Sequence, residues 1–270
     1  MPRTRPIALA LGFLACLGNH SQAASSDPDP QVTAIRCGYL LAEPGSPPIA
    51  NAIVIVEGDT VRAVVGDPAQ IPQNAHVVDL SDQFVLPGLI DCHVHLAMEF
   101  TPDVRLRELQ DSDADRAITA LANAQKTLLA GFTTVRDLGS SGDAVFAVRD
   151  AINNGRVSGP RILSAGEAVT PTGGHGDNTN GFREDIFEQP TPMDGVADGA
   201  DPCRAAVRNQ VKRGADCIKL TATGGVLSNI GAGIEQQMFE DELRAVVETA
   251  HLLGKRAAAH AHAARGIKAA

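Results

Sequence analysis

The stretch that decides the fold is LPGLIDCHVHL, Leu86–Leu96. An apolar run ends abruptly in Asp91, His93 and His95. Residues two apart on a strand point the same way, so the two histidines share one face. Paired imidazoles at that spacing can grip one metal ion, and neutral imidazole is a good ligand for zinc and similar ions. An HxH pair alone is weak, because two polar surface histidines give the same letters. A strand this apolar should nevertheless not end in two histidines unless something pairs with them.

Working outward from Phe84, short apolar strands alternate with amphipathic helices. The strands read FVLPGLIDCHVHL, GFTTVRDLG, PRILSAGEAV, ADCIKLTATGG and KRAAAHAHA. DADRAITALANAQKTLLA lies between the first two, with Ile118, Leu121, Gln125, Leu128 and Leu129 at helical spacing. CRAAVRNQVKRG precedes the fourth strand. EDELRAVVETAHLLG precedes the fifth, with Leu243, Val246, Val247, Ala250 and Leu253 on one face. Gly131, Gly214 and Gly254 are placed to cap these helices. Strand, helix, strand, repeated, predicts a parallel α/β sheet, either doubly wound or closed into a barrel. His93, His95, Asp137, Lys219, His260 and His262 all fall near the C-terminal ends of their strands. A (β/α)₈ TIM barrel collects its chemistry at that rim from several strands, whereas a doubly wound sheet concentrates it at one switch point. TPTGGHG (170–176) and the TGG at Thr223–Gly225 lack nucleotide-binding spacing and read as loops at the mouth of a site.

Upstream, VTAIRCGYLL, NAIVIVEGDTVRAVV and AHVVDLSDQFVL are rich in Val and Ile and broken by turn residues. EGD looks like a hairpin turn. Residues 31–83 are therefore predicted to be a small β-rich unit. The N-terminus has arginines in MPRTRP, then the apolar run IALALGFLACLG, then small residues in NHSQAA. This is the layout of a secretory signal peptide over residues 1–23, cut near Ala23, with 24–30 a flexible lead-in. An exported protein, periplasmic or secreted, is expected. Cys16 follows Leu14 and Ala15, which offers a lipoprotein box as an alternative, although Phe13 stands where that box prefers Leu. No other apolar run is long enough to span a bilayer.

The 270 residues are 44% hydrophobic and carry a net charge of −9. That acidity disfavours nucleic acid and anionic membrane as partners. With no Trp and one Tyr, a site built on aromatic stacking is not expected. Cys37, Cys92, Cys203 and Cys217 are scattered without a CxxC pair, so they read as buried small residues rather than a zinc knot.

Lys219 lies inside the apolar strand CIKLTATGG, and a buried lysine is costly. It either snorkels to the mouth or pairs with Asp137, or its pKa falls until it reacts with carbon dioxide. The resulting carbamate could bridge two metal ions. Taken alone, the structural alternative is the simpler one. His260 and His262 repeat the HxH spacing on the fifth strand.

PGLIDCHVHL, GFTTVRDLG, IKLTATGGVLS and AAAHAHAARGIKAA, in that order, resemble the amidohydrolase superfamily, in particular its imidazolonepropionase-like branch with the Xaa-Pro dipeptidases. The resemblance implies a metal-dependent hydrolase barrel over residues 84–270, with 31–83 the N-terminal part of a small β-sandwich. It implies two divalent ions, zinc first, held by His93, His95, a carbamylated Lys219 and His260. His262 is then a neighbour or an alternative ligand, and His175 and His262 would touch substrate. Arg136 and Asp137 are expected to buttress the rim by pairing. The reaction implied is hydrolysis of a C–N bond in a dipeptide or N-acyl amino acid; alternatives are a cyclic amide or an inactive metal-binding protein. Homo-oligomers are possible. The family also needs a histidine after strand six and a catalytic aspartate after strand eight. Only about five β/α units precede Ala270, so the catalytic aspartate is expected beyond residue 270 and the 270-residue chain is expected to be inactive.

Overall fold

A computed structural model of the protein describes residues 31–226, 228, 231 and 233–270. The expected signal peptide, Cys16 and the lead-in lie outside the described residues. The chain divides into two compact units, one running through Pro87 and the other Gly88–Ala270.

The first unit is one mixed sheet of β1 (Val32–Leu40), β2 (Ile49–Ala50), β3 (Ile53–Glu57), β4 (Thr60–Val65) and β5 (His76–Val85). β1 lies antiparallel to β2 and β3 and parallel to β5. The EGD turn is a tight β3–β4 hairpin: Glu57 pairs with Thr60 across Gly58 and Asp59. Gly58 sits at φ 60°, in the left-handed region that glycine enters without the steric cost of a Cβ. Because side chains alternate, each face gathers its own apolar cluster. Ala34, Ile53 and Ile55 form one; Cys37, Leu40, Ala52 and Val54 form the other. The described residues show this single sheet, with no second layer of a sandwich among them.

The second unit has the expected alternation. In order it contains β6 (Leu89–Val94), α1 (Val104–Gln110), α2 (Asp113–Leu129), β7 (Phe132–Asp137), α3 (Ala144–Asn153), β8 (Arg161–Ser164), α4 (Ala200–Arg213), β9 (Ile218–Thr221), α5 (Glu240–Leu252), β10 (Ala257–His260) and α6 (Ala264–Ala269). β6, β7 and β8 pair in parallel, as do β9 and β10. Backbone bonds from Asp216 N to Ser164 O (2.8 Å) and from Val169 N to Lys219 O (2.8 Å) join the two sets, so five parallel strands stand in chain order. Helices α2 to α5 each lie between consecutive strands in the chain, and α3, α4 and α5 bury apolar faces. Val207, Ile218, Val246 and Ala250 are fully enclosed in the largest cluster, each valine-sized side chain stabilising by about 1.5–3 kcal/mol.

α1 and α3 were not anticipated from the sequence. α3 is short but buries Val145, Phe146 and Val148. The face of α2 also differs from expectation. Ala120 and Ala124 are its buried residues, while Ile118 is 69% and Leu129 89% exposed. Alanines fill the centre of the contact, Leu121 packs partly buried beside them, and Ile118 and Leu129 point away. On α5, by contrast, Leu243, Val246 and Ala250 are buried as expected, while Leu253, of the same expected face, is exposed just past the helix end. Gly214 caps α4 in the left-handed region, and Gly131 and Gly254 adopt the same conformation after α2 and α5.

Candidate metal centre

β6 delivers His93 and His95 at its C-terminal end, their rings 5.2 Å apart at 61°. β10 delivers His260 and His262 likewise, 4.7 Å apart at 78°. His175 comes from the loop after β8, and its ring stacks on His260 with centroids 3.8 Å apart. Lys219 stands on β9 next to β10, paired in register with Ala258, so Lys219, Thr221, Ala258 and His260 share one face of the sheet. It is buried, and no carboxylate lies within salt-bridge distance of its ammonium among the described residues. The alternative of a Lys219–Asp137 pair is thereby set aside.

Burial, then the nearby Arg136, pulls the Lys219 amine down to about 8. Burial likewise holds the imidazoles of His93, His95 and His175 below their usual value, with the Lys219 charge a further cause in each case. His260 falls to about 4, through burial first and the neighbouring His175 second. These four imidazoles are thus biased towards the neutral form, which is the form that donates a lone pair.

Backbone carbonyls orient these rings. His95 Nδ1 meets Gly139 O at 2.9 Å, and His260 Nε2 meets Gly224 O at 3.2 Å. His175 donates its backbone N–H to Gln237 Oε1 at 3.0 Å, and its Nδ1 bonds Ser228 Oγ. Thr223 Oγ1 accepts from His262 N at 3.0 Å, and the buried Thr221 and Thr170 hydroxyls bond each other at 2.7 Å. Of these partners only the threonines carried a sequence signal, as polar residues two apart in an apolar strand. Carbonyls carry none.

Arg136 and Asp137 do not pair, contrary to expectation. Successive strand residues face opposite ways. Arg136 donates Nε–H to Cys92 O at 2.8 Å. Asp137 turns inward and accepts from Leu96 N at 2.7 Å. Burial lifts its carboxyl to about 7 against two backbone N–H donors that favour the charged form.

Among the described residues, no three His, Cys, Asp or Glu side chains stand ready to enclose an ion. His260 points its Nε2 at Gly224 O and stacks on His175, which leaves Nδ1 as the nitrogen free to ligate in that orientation. The donor chemistry nevertheless fits a divalent metal: neutral imidazoles from β6, β10 and the loop after β8 lie near enough to one buried amine to feel its charge. His93, His95, Lys219 and His260 are the side chains that could hold it.

Residues 84–270 match the model of the amidohydrolase family. The chain belongs to the amidohydrolase family. An ochratoxinase from Aspergillus niger is 33% identical over 92% of this chain and 53% of its own. Among solved structures, a Xaa-Pro dipeptidase with methionine bound in its active site superposes with TM-score 0.83 at 37% identity, covering 88% of this chain and 59% of that one. A prolidase complexed with N-methylphosphonate-L-proline gives TM-score 0.76 at 32% identity, over 88% and 58%. This amidohydrolase chain thus spans between 53% and 59% of the length of these relatives.

Proposed function

We propose that the protein is a metal-dependent hydrolase of amide C–N bonds, acting on a dipeptide or an N-acyl amino acid. The observation that carries this is the placing of His93 and His95 at the C-terminal end of β6, and of His260, stacked on the loop residue His175, at the end of β10 beside the buried Lys219 of β9. The likeness to a Xaa-Pro dipeptidase that holds an amino acid in its active site supports the substrate class. The five parallel strands are proposed to be part of a (β/α)₈ barrel, and residues 31–83 to be part of a β-sandwich. Export after cleavage near Ala23 remains our reading of the N-terminus; mass spectrometry of the secreted protein tests it, and an intact Met1 on protein retained in the cytoplasm overturns it.

His93, His95, His260 and Lys219, the last as its carbamate, would hold the divalent ions. When bound, such ions polarise a carbonyl and make water a nucleophile near neutral pH. The chain's own residues do the rest. Lys219 is held buried on β9, on the same sheet face as His260 of β10. His175 and His262 stand beside His260, where they can meet the substrate's carbonyl or carboxylate.

The turnover is proposed for a protein of the relatives' full length, and the assay is run on such a chain beside the 270 residues. Metal content is measured on purified protein, with an Xaa-Pro dipeptide, an N-acyl amino acid and a cyclic amide as substrates. About two divalent ions per chain are expected, with His93→Ala losing metal and turnover together. Full metal retention by His93→Ala overturns the ligand assignment. Turnover of the cyclic amide alone overturns the substrate class, and metal binding without any turnover leaves a binding protein instead.

A further inference from the structure

Asp137 is 0% exposed, yet it makes no ion pair among the described residues. Both its oxygens serve backbone N–H groups: Oδ2 accepts from Leu96 N at 2.7 Å and Oδ1 from Gly139 N at 3.4 Å. These residues matter for what stands beside them. Leu96 follows His95, and its other backbone group is held too, Leu96 O accepting from Asn123 Nδ2 at 3.0 Å. Gly139 offers its carbonyl to His95 Nδ1 at 2.9 Å. One carboxylate therefore ties the chain just after His95 to the very peptide that meets its ring.

A carbonyl oxygen has only lone pairs, so the ring nitrogen facing it must carry hydrogen. His95 in its neutral form then has Nδ1–H and a bare Nε2. Metal-ligating histidines are commonly oriented through the nitrogen that does not ligate. Gly139 adds a steric condition. It sits at φ +145°, and a Cβ there would lie 3.3 Å from His95 Cε1 and 3.5 Å from Nδ1. A side chain at 139 is strained and crowds the ring it should support.

We propose that Asp137 and Gly139 are positioning residues that lock His95 in its Nδ1–H tautomer, so that Nε2 alone faces the site. The inference rests on the metal-hydrolase reading for its purpose but not for its test. Asp137→Asn keeps the shape while replacing one acceptor by an NH₂ group, which leaves either Leu96 N–H or Gly139 N–H facing a donor. Gly139→Ala leaves the carboxylate and disturbs the carbonyl.

The experiment is long-range ¹H–¹⁵N correlation on metal-free protein labelled at histidine, at about pH 8, where an imidazole of ordinary pKa is already neutral. The His95 signals are assigned by their loss in His95→Gln. The wild type should show a protonated Nδ1 and an unprotonated Nε2, and both variants should show mixed tautomers. An Nε2–H tautomer in the wild type overturns the proposal, as does retention of the wild-type pattern in folded Asp137→Asn or Gly139→Ala. If one variant fails to fold by circular dichroism, the wild-type spectrum and the other variant still decide. Zinc affinity measured by chelator competition is the second readout, with a ~10–100-fold loss expected in Asp137→Asn. Unchanged affinity there overturns the link between tautomer and ion. A wild type that binds no zinc yet keeps the tautomer faults the metal reading instead, so the two failures are distinguishable.

Discussion

Gly225→Ala places one methyl between the two stacked imidazoles of the site. A Cβ at this position would lie 2.6 Å from His175 Cε1, 2.7 Å from His175 Nδ1 and 3.0 Å from His260 Nε2. Carbon contacts become comfortable only at about 3.5–4.0 Å, so the His175 ring must retreat by roughly 1 Å. It has little room to do so. His260 lies 3.8 Å away on one side, and Nδ1 is tied to Ser228. Overpacking of this kind costs about 1–3 kcal/mol. Restricting the unfolded chain offsets about 0.4–1 kcal/mol of that, leaving a net loss of about 1–2 kcal/mol. With a urea slope of about 2 kcal/mol/M, the midpoint should fall by about 0.5–1 M. Far-UV circular dichroism is the right probe, because every α-helix among the described residues lies within Gly88–Ala270. The decisive measurement is a double-mutant cycle with His175→Ala, which removes the ring that the methyl strikes. The pair should couple by about 1 kcal/mol or more. Additivity within about 0.5 kcal/mol would show that the two positions do not meet, and would refute the packing described for the site.

The pH dependence has a definite sign. Unfolded imidazoles take up protons as pH falls through about 6.5, whereas folded His260 waits until about 4. The unfolded state binds more protons in that window, so this contribution is present above about pH 6.5 and lost on acidification. Asp137, raised to about 7, works in the opposite direction between its usual carboxyl range and 7. The test is therefore the difference between wild type and His260→Gln in urea midpoints against pH: the variant should show the shallower acid loss, and an identical slope contradicts the burial of His260. On α2, Ala120→Leu and Ala124→Leu should each destabilise by about 1–3 kcal/mol, while Leu129→Ala should change stability by less than about 0.5 kcal/mol. The reverse ranking in thermal melts would restore the apolar face read from the sequence.

Much of the architecture was legible because it depends on period and punctuation. The hairpin at Gly58 and Asp59, the strand–helix alternation and the histidines at strand ends all follow from residue types at fixed spacing. The α2 face misled because hydrophobicity ranks Leu129 above Ala124, while close packing of a helix on a sheet selects the smaller side chain. Pairing of Arg136 with Asp137 was excluded by strand alternation itself, and the partner that Asp137 took instead is a backbone N–H invisible in any residue pattern. The same holds for Gly139 O and Gly224 O, which aim two rings of the site without contributing a side chain.

Cys92 sits between Ile90 and Val94 on β6 with its side chain exposed, whereas Cys37, Cys203 and Cys217 are buried. Burial raises the Cys37 thiol and pushes Cys203 to about 12 and Cys217 to about 11, which starves them of thiolate. A maleimide at neutral pH should consequently modify Cys92 in preference to the other cysteines among the described residues. Its backbone neighbour is His93, but strand alternation turns the sulfur to the opposite face. The molecule therefore carries its own attachment point for a fluorophore or spin label, one residue from the site and outside it, from which ion or substrate binding can be followed in a chain that contains no tryptophan.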